Sequence, residues 1–410
     1  MRLLYSLFIS IYVCLTKFIS LFSNKAKLWS SGRKNIFNFL EENCTEKNNI
    51  VWFHCASLGE FEQGKPLMEK IKQERNITLL LTFFSPSGFE VKKNDSVADI
   101  ITYLPADTPK NAKKFIRIVK PQKVFFVKYE FWYNYIHELY KENIPLYYVS
   151  AIFRENQYFF KSYGIWFLKQ LKKCNYFFVQ NEDSKKLLNQ YGISNVSVTG
   201  DTRFDRVDTI AKQDYTLDFI TSFKNDKKLL VAGSTWRQDE KLLDKLFQKA
   251  KPDYKLIIAP HLVDNKRIEQ IKKTFSSFST ICFSEKERKE LANYQILIID
   301  TIGLLSKIYR YADISYIGGA FKTGLHNVLE AAVFERPIFF GPRYQKFNEA
   351  VELVKNGVAF PVSHAGEMEE KITFFENNPS SYFATCQRCK IYITQNLGTT
   401  EKIFNVIFNS

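Results

Sequence analysis

The stretch Gly318-Gly319-Ala320-Phe321-Lys322-Thr323-Gly324-Leu325-His326-Asn327-Val328-Leu329-Glu330 decides the fold prediction for this chain. It follows an apolar run at 314–317, which predicts a buried strand, and leads into residues 327–335, which predict a helix. A glycine-rich turn between a strand and a helix offers free backbone N–H groups, and the helix dipole there favours a negative group. The pattern therefore predicts a phosphate site at the carboxyl edge of a parallel sheet. Asn327 and Glu330 would share one face of the first helical turn, where the carboxylate is placed to accept hydrogen bonds from a ribose.

The same alternation of apolar runs and amphipathic segments extends along the chain from about residue 48. The apolar runs form two series, at 50–55, 77–84, 123–130, 145–153, 175–180 and 196–200, and then at 228–235, 254–260, 295–300, 314–320, 336–342 and 358–362. Continuous apolar runs separated by helices are typical of parallel strands buried on both faces. Two such series, with a break near 206–226, predict two doubly wound α/β domains.

The composition is that of a globular protein with a basic surface. The 410 residues are 45% hydrophobic and 25% charged, with a net charge of +15, which favours an anionic partner. Lysine and arginine are spread over every segment without a basic tract, so a nucleic-acid-binding protein is the weaker alternative. The seven cysteines are scattered, which suggests a reducing compartment, and the single C-x-x-C at Cys386 and Cys389 lacks the partners of a zinc site.

The N-terminus is the most hydrophobic part of the chain. Residues 3–22 are mostly apolar, Lys17 interrupts them, and Lys25, Lys27 and Arg33 follow. No small-residue cleavage site follows, which disfavours a cleaved signal peptide. We expect a membrane anchor that either just spans the bilayer or lies in the interface with its basic residues on anionic lipid. A buried N-terminal helix is the alternative, but a core helix is seldom apolar on all sides.

A series of motifs in a fixed order resembles one enzyme family. The motifs are WFHCASLGEFE at 52–62, TFFSPSG at 82–88, YLPAD at 103–107, YEFWYN at 129–134, VTGDTRFD at 198–205, AGST at 232–235, IIAPH at 257–261, DTIG at 300–303, GGAFKTGLHNVLEAA at 318–332 and FGPRYQKFNEA at 340–350. Together they resemble the 3-deoxy-D-manno-octulosonic acid (Kdo) transferases, which transfer Kdo from CMP-Kdo to lipid A precursors. The resemblance covers nearly the whole chain.

The resemblance implies a GT-B fold, in which two Rossmann-like doubly wound domains face a central cleft. Residues 1–23 would be the membrane anchor, 24–207 the acceptor domain, and 208–410 the CMP-Kdo-binding domain with a C-terminal helix packing back. The enzyme would work at the cytoplasmic face of the inner membrane, with a lipid A precursor as acceptor and anionic lipid as a further partner. Another nucleotide-sugar-dependent GT-B glycosyltransferase of the cell envelope is the alternative within the same fold.

The catalytic residues implied by the resemblance are three. Glu60 follows the first strand and would be the base that takes the proton of the acceptor hydroxyl. Glu130 and Arg203, each after another strand of the same sheet, would stabilise the transition state. The alternatives without a catalytic role are a carboxylate that favours a helix N-terminus for Glu60 and an ordinary ion pair for the other two.

The donor-binding residues implied by the resemblance lie in the second half of the chain. CMP would be held by Pro260, His261, Ile302, Gly303, Leu304, Asn327, Val328, Leu329 and Glu330, with Ser234, Thr235 and Gly324 at the phosphate. The chain departs from the family pattern at three places: no Arg separates Pro260 from His261, Leu304 replaces a Glu, and Arg203 replaces a Lys. The resemblance implies an inverting transfer that uses no cofactor. No Asp-x-Asp motif stands out, so we also expect the transfer to need no metal.

Overall fold

The computed structural model describes residues 1–249, 253–288 and 290–409. The chain divides into two compact domains, Met1–Arg206 with Gly398–Ser410, and Val207–Leu397. The first domain therefore contains both ends of the chain.

The described residues form fourteen strands, nineteen α-helices and several short 3₁₀-helices. The strands are β1 (Ile50–Cys55), β2 (Thr78–Phe83), β3 (Ile100–Tyr103), β4 (Lys123–Val127), β5 (Leu146–Ala151), β6 (Tyr176–Val179), β7 (Val196–Val198), β8 (Lys228–Thr235), β9 (Tyr254–Pro260), β10 (Thr280–Cys282), β11 (Ile296–Ile298), β12 (Ile314–Ile317), β13 (Ile338–Phe340) and β14 (Ala359–Pro361). The helices are α1 (Arg2–Ile19), α2 (Asn24–Ser31), α3 (Ile36–Cys44), α4 (Leu58–Glu74), α5 (Pro86–Lys92), α6 (Pro109–Val119), α7 (Tyr133–Lys141), α8 (Ile165–Leu171), α9 (Glu182–Gln190), α10 (Arg203–Lys212), α11 (Asp218–Lys224), α12 (Arg237–Lys249), α13 (Asn265–Thr274), α14 (Leu305–Ile308), α15 (Leu329–Ala332), α16 (Asn348–Lys355), α17 (Ala365–Asn377), α18 (Pro379–Gln395) and α19 (Thr399–Phe408).

Each domain is built on one seven-stranded parallel sheet. The strand order is β3-β2-β1-β4-β5-β6-β7 in the first sheet and β10-β11-β9-β8-β12-β13-β14 in the second. In each sheet the first strand of the series lies inside, and the chain adds strands first on one side and then on the other; in the second sheet β11 lies between β9 and the earlier strand β10. The point where the order reverses lies between β1 and β4 in one domain and between β8 and β12 in the other. Doubly wound sheets bind ligands at this point, beyond the carboxyl ends of the strands.

Apolar layers cover both faces of each sheet, as continuous apolar strands require. Trp52 on β1 packs against Phe115 and Phe126 on one face, whereas Phe53 stacks on Phe125 on the other. All three rings on the first face are fully buried. The predicted fold class, two Rossmann-like doubly wound α/β domains, is confirmed.

The structure differs from the sequence-based elements in two respects. The apolar runs do not predict β3 and β10, which are short strands of four and three residues at one edge of each sheet. The helix predicted at 327–335 is shorter, since α15 has only four residues and ends at Ala332. The chain leaves this helix through Glu335, which has a φ of 60° that helical residues do not adopt.

The N-terminal helix α1 packs one face onto the first domain and leaves the other exposed. Tyr5 donates a hydrogen bond of 2.6 Å to the buried Asp107, and Arg2 forms a 3.1 Å ion pair with Glu138. Burial raises the pKa of Asp107 to about 6, although hydrogen bonds from Tyr5 and from two backbone N–H groups oppose the shift. Helix α1 is therefore attached by polar contacts as well as by packing.

The opposite face of α1 is apolar and open to solvent. Its large exposed side chains are Leu3, Leu4, Leu7, Phe8, Ile11, Leu15, Phe18 and Ile19. By length and composition, α1 is a helix that could cross a membrane, and only a small share of it is buried. We call this surface the apolar face of α1.

The last helix, α19, belongs to the first domain. Ile403, Phe404 and Ile407 join the core cluster that covers the α4 side of the first sheet. Gly398 and Thr400 donate backbone hydrogen bonds, both of 2.7 Å, to the carboxylate of Asp205. These contacts fix the chain end beside the segment that carries Arg203.

Candidate active site

Glu60 lies in the first turn of α4, directly beyond the carboxyl end of β1. Ser57, the residue before the helix, donates its hydroxyl to the Glu60 carboxylate in a short hydrogen bond. Glu60 is partly exposed, so a ligand can reach its carboxylate. Negative charge is favourable at a helix N-terminus, and an ionised carboxylate is the form that accepts a proton.

Glu130 lies three residues beyond β4, on the other side of the point where the strand order reverses. The indole N–H of Trp132 is 2.8 Å from a Glu130 carboxylate oxygen and 2.9 Å from Nε2 of His54. His54 is fully buried, and its Nδ1 lies 3.1 Å from the backbone carbonyl of Thr82. A carbonyl only accepts, so in this pairing Nδ1 carries the proton and Nε2 accepts from Trp132. Trp132 and His54 thus hold the Glu130 side chain in one position.

Arg203 is held by a neighbouring carboxylate rather than by the strand it follows. Asp201 accepts bonds of 2.9 and 2.7 Å from the Arg203 guanidinium, and Gln63 on α4 donates a 2.9 Å bond to the same carboxylate. Burial alone would raise the pKa of Asp201, but the charge and hydrogen bonds of Arg203 lower it overall. Although β7 is an edge strand four positions from β1, the contact with Gln63 brings the Arg203 segment to the helix that carries Glu60.

The first domain therefore presents two carboxylates on either side of its strand-order reversal and an arginine tied to the same helix as one of them. Such a set can accept a proton and hold negative charge on a substrate. The bonds between Arg203 and Asp201 partly neutralise the guanidinium. The three residues predicted from the sequence all lie in the first domain, as described above. Their catalytic roles remain predictions.

In the second domain the ends of β8 and β12 pack closely. Thr235 is fully buried and donates a 2.9 Å hydrogen bond to the buried Glu240. Ser234 has a φ of 53°, and a side chain at Gly318 would lie 2.3 Å from the Ser234 carbonyl oxygen. Gly318 therefore permits a backbone approach that no other residue would allow.

The N–H groups of the three glycines in the glycine-rich turn donate within the protein. Gly318 donates to Gly233 at 2.9 Å, Gly319 donates to the Asp239 carboxylate at 3.1 Å, and Gly324 donates to Gly319 at 3.0 Å. The predicted phosphate site requires free N–H groups before a full helix, and α15 spans four residues only. An anion near this turn would depend on side chains more than the sequence indicates.

Asn327 and Glu330 do lie together, although Asn327 precedes the helix instead of belonging to its first turn. The Asn327 amide donates a 3.0 Å hydrogen bond to the Glu330 carboxylate, and its oxygen accepts from the Leu329 N–H at 3.2 Å. Burial raises the pKa of Tyr309 far above its usual range, and the charge of Glu330 adds to that shift. The Tyr309 hydroxyl in turn lies against Gly233 in β8, where it would overlap any side chain. Glu330 therefore lies near the carboxyl end of β8.

Three aromatic rings form a stack beyond the ends of β8 and β9. Trp236 stacks on His261 with centroids 4.8 Å apart, and His261 stacks on His326 at 4.3 Å. The Trp236 indole also donates a 3.1 Å hydrogen bond to Nε2 of His326. Desolvation, helped by the charge of His261, lowers the pKa of His326 to about 4, and desolvation also lowers that of His261. We call these three residues the ring stack.

Most of the other residues predicted to bind the donor are either exposed on a loop or buried. Ile302 is 86% exposed, and Gly303 has a φ of 92° with open space where a side chain would stand. Leu304 immediately precedes α14, where Leu305 packs close to Gly233. The remaining three residues are buried and offer a ligand their backbone at most; they are Pro260, Val328 and Leu329.

The ring stack makes a prediction about stability and pH. His326 has a folded pKa of about 4 against 6.5 for the free side chain, so the unfolded chain binds the proton more strongly between these values. The free energy of unfolding should therefore rise as the pH increases from about 4 to about 6.5. His326→Gln should flatten this rise by about 1–2 kcal/mol, a figure reduced for partial solvent screening. Denaturant unfolding of the wild-type protein and of His326→Gln across that pH range would measure the difference. If the free energy of unfolding rises equally with pH in both proteins, the prediction is wrong.

Several residues at these sites have no role in the sequence-based prediction. His54, Trp132 and Asp201 lie inside quoted motifs, and a polar residue at the end of an apolar strand is the available signal for His54. Nothing in the local sequence predicts the contact between Trp236 and His326, because it joins segments 90 residues apart. Among the described residues, no group of three or more His, Cys, Asp or Glu side chains is arranged to hold a metal ion.

Comparison with known proteins agrees with the motif resemblance. Residues 31–206 match the family model described as 3-Deoxy-D-manno-octulosonic-acid transferase (kdotransferase). A 3-deoxy-D-manno-octulosonic acid transferase of Aquifex aeolicus is 28% identical over 342 residues, covering 82% of this chain and 88% of that protein. A bifunctional glycosyltransferase/methyltransferase of Fusobacterium nucleatum is 27% identical over 81% of this chain, and the match spans only 53% of that longer relative.

The fold has a counterpart among solved structures. The UDP-GlcNAc 2-epimerase of Neisseria meningitidis, solved with UDP-GlcNAc bound, aligns with a TM-score of 0.63 and 15% identity, covering 88% of this chain and all of that one. This likeness shows a shared fold and nothing about the reaction. Residues 31–206 thus match the 3-deoxy-D-manno-octulosonic-acid transferase family model, and relatives described as such transferases align along most of the sequence.

Proposed function

We propose that this protein transfers Kdo from CMP-Kdo to a lipid A precursor. The observation that carries the proposal is the position of Glu60, a reachable carboxylate on a helix N-terminus, inside the segment that matches the family model. Glu130 across the strand-order reversal and Arg203 tied to α4 complete a set that suits sugar transfer. The donor-binding function falls to the second domain, where Asn327, Glu330 and the ring stack lie.

In the proposed reaction the acceptor hydroxyl gives its proton to Glu60 as its oxygen bonds to the anomeric carbon of Kdo. The bond between that carbon and the phosphate oxygen breaks, and CMP leaves with the electron pair. The transition state has oxocarbenium character, as in other reactions at an anomeric centre. Arg203 stabilises negative charge on the substrates, and Glu130, fixed by Trp132 and His54, stabilises the positive charge that develops on the sugar.

A cavity beside Glu130 supports an acceptor site in the first domain. Its volume is about 460 Å³, within the range of small-molecule sites. Its walls include Phe84, Phe131, Trp132 and Tyr158. Aromatic faces with a few polar groups are typical of such sites, and sugar rings present apolar C–H faces that pack on them.

The proposal is tested by incubating the purified full chain with CMP-Kdo and a tetra-acylated lipid A precursor and resolving the products by mass. A product heavier by one or more Kdo residues, with CMP released in equal amount, is expected. Transfer from a different nucleotide sugar, with none from CMP-Kdo, would favour another glycosyltransferase of the same fold. No transfer from any donor, with no CMP binding, would remove the proposal.

We expect Glu330→Ala to weaken donor binding more than it slows transfer at saturating donor. Loss of a charged hydrogen-bond acceptor for the ribose should cost about 1–3 kcal/mol, or roughly 5- to 150-fold in the donor KM. Glu330→Gln, which keeps the shape, should fall between. Glu352→Ala, which removes a partly exposed carboxylate on α16, is the control and should leave the KM unchanged. An unchanged KM in Glu330→Ala would exclude a ribose contact.

We further propose that α1 holds the protein on the membrane from the side, without crossing it. The polar contacts of Tyr5 and Arg2 attach one face of the helix to the domain, and the apolar face of α1 points away from it. A helix of this kind lies in the interface, and the basic side chains of Lys25 and Lys27 beyond it suit anionic headgroups. Tyr12 on α1 stacks on Phe84, a wall of the acceptor cavity, so the membrane surface and that cavity would lie close together.

A further inference from the structure

A second cavity, of about 430 Å³, opens at the carboxyl edge of the second sheet. It lies between the start of α12, which follows β8 after one residue, and the glycine-rich turn that follows β12. Its lining residues are Trp236, Arg237, Gln238, Asp239, Lys241, Gly319, Phe321, Lys322 and Thr323. None of the residues predicted from sequence to bind the donor is among them.

Three cations line this cavity without a protein partner. Arg237, Lys241 and Lys322 are exposed, and within the described part of the chain their side chains make no hydrogen bond or ion pair. Lys224 of the same domain, by contrast, is paired with Asp313 at 2.8 Å. Three unpaired positive charges around one concavity favour an anionic ligand.

Asp239, the one carboxylate in the cavity wall, is hydrogen-bonded to other groups of the protein. It accepts hydrogen bonds from the Trp236 N–H at 2.8 Å, the Gly319 N–H at 3.1 Å and the Tyr316 hydroxyl at 2.9 Å. Burial raises the pKa of Asp239, and these bonds oppose the shift. Asp239 thus ties the start of α12 to the glycine-rich turn and fixes the shape of the cavity, while the three cations leave a net positive charge at its mouth.

The cavity adjoins the residues proposed to hold the nucleotide. Trp236 is both a cavity wall and the first member of the ring stack, whose other members are His261 and His326. Gly319, another wall residue, lies against the His326 ring. A ligand group in the cavity would therefore be a close neighbour of a nucleotide bound along the ring stack.

We propose that this cavity binds the carboxylate of the donor sugar and so selects an acidic sugar over a neutral one; the inference rests on the proposed function. In a nucleotide-activated ulosonic acid, the carboxylate and the phosphate oxygen are bonded to the same anomeric carbon. A site for this carboxylate must then lie within a few ångströms of the phosphate, beside the nucleotide. Arg237 offers the planar pair of donors that matches a carboxylate, and Lys322 offers a point charge from the opposite loop.

The test compares donor and nucleotide binding in the full chain. We expect Arg237→Gln and Lys322→Gln each to raise the KM for CMP-Kdo by about tenfold, and the double variant to raise it further, since a charged hydrogen bond is lost each time. The affinity for CMP alone, measured by calorimetry, should stay within about twofold because CMP lacks the carboxylate. Lys322→Arg should retain most of the donor affinity. Lys245→Gln is the matched control, since this lysine lies further along α12 outside the cavity.

Three outcomes of these measurements would contradict the proposed carboxylate site. If CMP affinity falls in parallel with donor affinity, the cavity holds the nucleotide phosphate, and the proposal is wrong. If the wild-type protein transfers Kdo and both variants keep its KM, the cavity takes no part in donor binding, and the proposal is again wrong while the function stands. If the wild-type protein neither binds CMP nor transfers Kdo, the proposed function fails and this inference fails with it.

Discussion

Glu60→Gln should reduce transfer of Kdo by about 100- to 10,000-fold, the range that general-base catalysis contributes. Glutamine keeps the shape of the side chain and can still accept the Ser57 hydroxyl, but it cannot take a proton at neutral pH. A base that acts on the acceptor should affect kcat, with the donor KM nearly unchanged. Initial rates against CMP-Kdo at saturating acceptor, together with CMP binding by calorimetry, would measure both parts.

A carboxylate elsewhere on the same helix provides the control. Glu69 lies on α4 and pairs only loosely with Lys65, at 3.8 Å, so Glu69→Gln should leave the rate within about twofold. The pH–rate profile gives a second check, because the acid limb of wild-type kcat should disappear from the residual activity of Glu60→Gln. A rate close to wild type in that variant would remove Glu60 from the mechanism and leave it a residue that stabilises the start of α4.

The interior strands of both sheets and one edge strand of each could be predicted from the sequence, but the other edge strand of each could not. Strands such as β1 and β9 are buried on both faces, so their sequences are unbroken apolar runs. The edge strands β3 and β10 lie outside the predicted apolar runs, whereas the other two edge strands, β7 and β14, lie inside such runs although each has only three residues. The end of α15 could not be predicted because the residues after it continue a helical pattern that the left-handed backbone of Glu335 interrupts.

In the candidate site, positions set by local sequence could be predicted, and contacts between distant segments could not. Glu60 and Glu330 lie in the first turns of helices that follow strands, so their place at a sheet edge follows from local sequence. The contact between Asp201 and Gln63 joins residues 138 positions apart, and it brings the Arg203 segment to α4 from the far edge of the sheet. Of the cations of the second cavity, Arg237 and Lys241 lie at the start of α12, whereas Lys322 lies in the glycine-rich turn about 80 residues further along the chain. Which charges remain without a partner is decided by tertiary packing and cannot be inferred from composition.

The first helix shows how a uniform sequence acquires two faces. Residues 3–22 are apolar nearly throughout, and this uniformity favours a membrane anchor without deciding how it is attached. In the structure, Arg2 and Tyr5 lie on the side of α1 that contacts Glu138 and Asp107 of the first domain. These polar contacts set the rotation of the helix about its axis. The apolar face of α1 is therefore the side left open to solvent.

Replacing Leu4, Phe8 and Leu15 together by Asp should lower binding to anionic vesicles by more than about 100-fold. Each apolar side chain withdrawn from the interface costs about 1–2 kcal/mol, and each new negative charge near anionic lipid costs about 1 kcal/mol more. The fold should survive, because these side chains are between 55% and 65% exposed in the protein and none contributes to its core. Sedimentation with phosphatidylglycerol-containing vesicles measures binding, and thermal melting measures folding.

A control with the same change in charge separates the helix from the rest of the surface. Val91, Ile165 and Phe383 are similarly exposed but lie outside α1, and their replacement by Asp should lower vesicle binding much less. Transfer to a detergent-dispersed acceptor should persist in both triple variants, because the residues proposed for catalysis lie elsewhere. If the α1 variant binds vesicles as well as this control does, the apolar face of α1 is not what holds the protein on the membrane.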